Sequence, residues 1–155
     1  MMDRALVTVA FLAALVLGLS AGAMLTEAVV FVEYWRTLAP AEFLAWFAAH
    51  EPLLTAFFGP LQVVAALLAI AAAVLAGKRT GRAFYWAAAA ASVVALLLYP
   101  LYFRDVNASF VAGTVALENV PAAIEDWAAW QWLRTSVGVG GFAAAVLGLR
   151  EMRKK

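Results

Sequence analysis

Four polar side chains stand inside long apolar stretches of this chain: Glu27, Gln62, Tyr99 and Arg134. A carboxylate, a carboxamide, a phenol and a guanidinium together can hold an oxyanion, accept a proton and orient a polar ring substituent. Arg134 lies in the last apolar stretch, on a stripe that reads Trp127, Trp130, Arg134, Gly138, Gly141, Ala145, Gly148. Steps of three and four residues put these positions on one helix face. The face begins with two indoles, carries one guanidinium and then becomes almost free of side chain. Small residues at this spacing let another helix backbone approach closely within a bilayer. Arg134 is therefore expected to point into protein, where an ionisable group is costly and is a functional-site hypothesis by default.

The elements that must position these groups follow from composition. Of 155 residues, 66% are hydrophobic and 14% charged, too few charges to wet the surface of a soluble domain. That places the chain in the membrane class, with lipid as its surroundings. A net charge of +1 gives no case for nucleic acid as a partner. The absence of cysteine excludes disulfides, thiolate metal sites and iron–sulfur clusters, and the single histidine, His50, excludes a bis-histidine metal or haem site in one chain. No hydrolase, zinc-protease, P-loop or dinucleotide motif is present. Neither a metal nor a cofactor is expected.

A bilayer of about 30 Å hydrocarbon takes about 20 helical residues. Four stretches qualify, at about 5–33, 53–76, 83–103 and 127–149. The expected fold is all-α: a single domain over 1–155, a four-helix transmembrane bundle with a short interfacial helix after the first span. That helix is Ala41–Glu51, with Phe43, Trp46 and Phe47 turned towards lipid. Arg4, the cluster Lys78, Arg79 and Arg82, and the tail Arg150, Arg153, Lys154 and Lys155 all fall on one side of such a bundle. The multi-pass chain is thus expected in the cell membrane with both termini cytoplasmic. Residues 1–23 have the outline of a signal peptide, but the apolar run continues to Val32, which favours a retained span.

Depth then groups the polar residues. Counted from the outward end of each stretch, Glu27 is six residues in, Gln62 nine, Tyr99 four and Arg134 seven. At 1.5 Å per residue this is one layer, roughly 6–14 Å below the surface. The other half of the bundle is alanine, glycine, valine and leucine, so the expected form is a cup open outward. Three readings of the layer stay open. Glu27 and Arg134 form a structural ion pair, or they build a ligand pocket, or they serve a proton or ion path. For Gln62 a helix–helix hydrogen bond competes with ligand contact. Trp127, Trp130 and Trp132 serve as an interfacial belt, or the first two wall an aromatic pocket.

Asn107 after the third span, followed by Trp127, Trp130 and Arg134 in WAAWQWLRT, resembles the DUF1772 family of small four-helix membrane proteins, which includes anthrone-oxygenase-like members. The long first span with a glycine-rich middle and an acidic residue further out is similar too. The resemblance implies oxidation of a polycyclic phenol without a conventional cofactor, and it adds Asn107 to the candidate site. The chain departs from the family pattern at Gln131, where a histidine is expected, so any base or ligand role of that histidine is in question here.

The leading expectation is binding, extending to oxidation, of a small apolar or aromatic molecule in an outward-facing pocket. Arg134 would hold a phenolate and Glu27 would accept a proton or orient Arg134, with Gln62, Tyr99, Asn107, Trp127 and Trp130 around the ligand. The alternative is an accessory subunit whose glycine-rich faces pack against another membrane protein, with Glu27 and Arg134 as a structural pair. A transporter would need a homo-oligomer, because no inverted repeat is visible.

Overall fold

The computed structural model describes residues 4–79 and 81–152. The Met1, Met2 and Asp3 start of the leader-like segment and the basic tail residues Arg153, Lys154 and Lys155 lie outside the described residues. Four helices form the fold: α1 (Arg4–Arg36), α2 (Pro40–Ala76), α3 (Arg82–Val111) and α4 (Leu117–Met152). Each is long and apolar enough to cross a membrane. No strand occurs among the described residues. Each helix packs on its neighbours in the chain, and α4 closes back onto α1, so the bundle is an up-and-down ring.

Short connections enforce this order. Between α1 and α2 only Thr37–Ala39 intervene, and Pro40 opens α2 with its fixed φ. The Glu42 carboxylate accepts the Ala39 N–H at 3.1 Å, satisfying a donor the first turn leaves over. At the far side Gly113, with φ +62°, ends α3 in the left-handed region that an L side chain rarely adopts. Four residues later α4 begins as a tight turn at Leu117–Asn119.

Two expectations are corrected. Ala41–Glu51 is not a separate interfacial helix but the first part of α2, which stays helical through Pro52 and Pro60. Both prolines sit at exposed positions, so their rings occupy the outer face. Phe43 and Phe47, expected towards lipid, are fully buried against Trp35 and Phe110. That packing holds the first turns of α2 in line where proline alone would favour a break. Likewise α3 does not end at 103, the expected limit of the third apolar stretch, but continues through Arg104–Val111.

The interior divides in two. Near the termini Ala10, Ala69, Ala72, Ala88 and Ala145 pack with Leu6, Leu17 and Tyr85. Near the two connections 37–39 and 112–116, called the far end below, the core is aromatic: Trp35, Phe43, Phe47, Phe103, Phe110 and Trp127. The small-residue strip of α4 is used within the chain. A Cβ on Gly138 would lie 2.2 Å from Met24 of α1, and one on Gly148 would lie 2.7 Å from the Tyr85 ring of α3.

Candidate functional site

A departure from α-geometry sits at the edge of the aromatic half in two helices. Glu27–Phe31 in α1 and Tyr99–Phe103 in α3 are π turns. Such turns insert one extra residue and are frequent at functional sites. The consequence can be read from α1. Eight residues of ideal helix would place Trp35 about 80° round from Glu27 at about 100° per residue. One inserted residue cancels about 100° of that, and both side chains arrive on the buried face. In α3 the same insertion buries both Leu98 and Phe103, five residues apart.

These turns border a cavity of about 240 Å³. Glu27, Gln62, Tyr99, Asn107, Trp127 and Arg134 all line it, together with Trp35, Phe47, Leu54 and Phe58. Six of the seven residues singled out from the sequence thus meet at one place. The seventh, Trp130, does not line it. It lies 38% exposed on the flank of α4, stacked on Tyr102 at 4.7 Å. Three residues along, Trp130 is about 60° away from Trp127, whereas Gln131 is only about 40° away on the other side. Packing chose Gln131, which is fully buried.

Gln131 organises the centre. Its Nε2 donates to the Glu27 carboxylate at 3.0 Å and to the Met24 carbonyl at 2.9 Å. Its Oε1 accepts from Arg134 Nη1 at 3.4 Å. The neighbouring Thr135 hydroxyl also donates to the Met24 carbonyl, at 3.2 Å. Glu27 and Arg134 therefore do not form a direct ion pair; a carboxamide stands between them. Arg134 lies over the Phe103 ring at 5.0 Å, a contact that favours a desolvated guanidinium.

Polar groups in this region divide into satisfied and unsatisfied. The Trp127 indole N–H donates to Asn107 Oδ1 at 3.0 Å, so Asn107 fixes the ring rather than standing free. Trp127 meets Trp35 edge-on at 4.9 Å and Phe103 at 5.2 Å. In contrast Trp35 Nε1, Gln62 Nε2 and Arg134 Nε are buried and have no acceptor in the protein. All three belong to residues that line the cavity. A buried donor left unpaired costs about 1–3 kcal/mol, so each of these three lining residues carries an unmet demand for an acceptor. The expected hydrogen bond from Gln62 to another helix is not among its contacts.

Two contributors escaped the sequence reading, and a third, Gln131, entered it only as a departure from the family pattern. Gln131 was legible, since it lies between Trp127 and Arg134 on the same stripe. Trp35 was not, because only the π turn brings it onto the face of Glu27. Phe103 was hidden for the same reason in α3. At the far-end surface, Arg36 donates from Nε and Nη2 to the two oxygens of Glu125, at 2.8 and 2.6 Å, and also pairs with Glu33. This exposed clip ties the end of α1 to α4 above the cavity. No family model, curated protein or solved structure matches this chain.

Proposed function

We propose that this chain is a multi-pass membrane protein that binds a small oxygenated aromatic molecule in the cavity between its helices, with both termini on the cytoplasmic side. The observation that carries the reading is the set of three buried donors without protein acceptors, Trp35 Nε1, Gln62 Nε2 and Arg134 Nε, around one cavity. A carbonyl or phenolate oxygen on a flat ring supplies what they lack, and Trp35, Trp127, Phe47 and Phe58 supply aromatic surface for the ring. Arg4, Lys78, Arg79, Arg82 and Arg150 on the termini side support the orientation.

The same groups suit a phenol better than a plain hydrocarbon. A guanidinium fixed in low dielectric favours the phenolate, and Glu27, which lines the cavity and is held by Gln131, would take the proton. Oxidation of the bound phenol by dioxygen is the extension that the resemblance to DUF1772 and its anthrone-oxygenase-like members adds. Asn107 then acts by orienting Trp127 and not as a ligand contact. The accessory-subunit reading keeps less of its strip, because Gly138, Gly141 and Gly148 are covered by α1 and α3, whereas Gly22, Gly59 and Gly140 stay open.

The test is titration of the detergent-purified chain with naphthol, followed by tryptophan fluorescence. Saturable binding that weakens at least about tenfold in Arg134→Ala supports the reading. Full affinity in that variant would discard it.

A further inference from the structure

The walls of the cavity are unequal. Glu27 and Trp35 of α1 and Trp127 and Arg134 of α4 close it with buried side chains. On α2 the lining includes Glu51, Thr55, Gly59 and Val63 at four-residue steps, and the last three are exposed. Leu96 of α3, half-buried, lies on the same cavity. Gly59 is eight residues from Glu51, and Leu96 is eight residues from Arg104. Both therefore sit about 12 Å inside those charged residues, at 1.5 Å per residue. A Cβ built on Gly59 meets nothing within 4 Å. The cavity is thus open sideways, between α2 and α3, at the depth of acyl chains.

The opening is mostly apolar: of the α2 residues at it, only Thr55 and Glu51 are polar, and they pair with each other, the Thr55 hydroxyl donating to the Glu51 carboxylate at 2.6 Å. A volume of about 240 Å³ exceeds the ~150 Å³ that accommodates a benzene, leaving room for about two fused rings and no room for a chain as well. If the ring oxygen meets Arg134 and Gln62, a substituent on the opposite edge has a way out past Gly59.

We propose that the occupant is a lipid-phase amphiphile, a phenol or quinone of one or two rings with a long apolar chain. It enters from the bilayer between α2 and α3 and leaves its chain in lipid through the Gly59 gap. This inference rests on the binding reading above and adds the route and the chain to it.

The test uses the full chain in phospholipid nanodiscs and two probes, methyl-naphthoquinone and the same ring bearing an isoprenoid chain. Binding is read as saturable tryptophan quenching. Gly59→Phe and Val63→Phe each narrow the gap, and Gly22→Phe, at another exposed position where a Cβ meets nothing, is the control. The chained probe is expected to weaken at least about tenfold in the first two variants, with the chainless probe within about twofold and the control unchanged. Unaltered binding of the chained probe in both variants overturns the route. Equal loss of both probes also overturns it, since the phenylalanine would then have filled the ring's space. If only the chainless probe binds the unsubstituted protein, the chain inference fails and the binding reading survives. If neither binds, the binding reading itself fails.

Discussion

The half of the bundle near the termini and the half near the far end are made from the same four helices by different rules. In the first, alanine and glycine bring the backbones together until no side-chain-sized space remains: a methyl on Gly148 would strike the Tyr85 ring. In the second, large rings hold the helices apart, two π turns shift the register, and a cavity remains with charged and amide groups around it. Close backbone packing leaves one buried hydroxyl, that of Tyr85, without a partner in the first half, whereas aromatic spacing gives volume and leaves three donors to be satisfied in the second. The result is a closed base that fixes the geometry of an end containing open volume.

Substitutions can break or sharpen this contrast, beginning with the largest effect. Arg134→Ala removes the guanidinium that faces Glu27 through Gln131 and leaves a buried carboxylate without its counter-charge. By analogy with broken buried pairs a loss of about 3–5 kcal/mol is expected, together with loss of naphthol binding. Chemical or thermal unfolding in detergent, run beside the titration, checks both, and wild-type stability would contradict the account of the polar layer.

In the closed half, Gly148→Ala should destabilise by about 1–3 kcal/mol through overpacking against Tyr85. Gly59→Ala in the open half should instead hold or raise stability, by up to about 1 kcal/mol from helix propensity. Comparison of the two unfolding midpoints is the measurement, and equal shifts would erase the distinction between the halves.

Gln62→Leu separates binding from folding. It removes an unpartnered buried donor, so stability should stay level or rise, while ligand affinity falls by about tenfold, equivalent to about 1.4 kcal/mol. Destabilisation with unchanged affinity would assign Gln62 to helix packing. The smallest effect is expected from Arg36→Ala, which opens the exposed clip to Glu125. Surface pairs contribute at most about 1 kcal/mol, and the effect should shrink further in high salt, which a melting series at two ionic strengths would reveal.

The bundle was readable because hydrocarbon imposes one requirement on every spanning residue: backbone groups must bond within the helix and side chains must be apolar. An isolated Glu27 or Arg134 in such a stretch is conspicuous, and equal depth is simple arithmetic on a fixed rise. Phe43 and Phe47 misled for the complementary reason. An aromatic at the end of a span reads as an interfacial belt, yet here it faces Trp35 and Phe110, a choice that depends on which helix lies opposite.

The chain's sequence by itself determined the number of apolar helices, their limits on the termini side and most of the polar residues that line one cavity, while the far-end limits of three helices were misplaced by 8–13 residues. Tertiary structure decided the rest. It chose Gln131 over Trp130 for the inner face, brought Trp35 beside Glu27 through a π turn, and left three donors around a cavity that opens between α2 and α3. Periodicity reports a position on an ideal helix, and one inserted residue rotates everything beyond it by about 100°. Which donors find acceptors depends on the neighbouring helices, and no single helix carries that information.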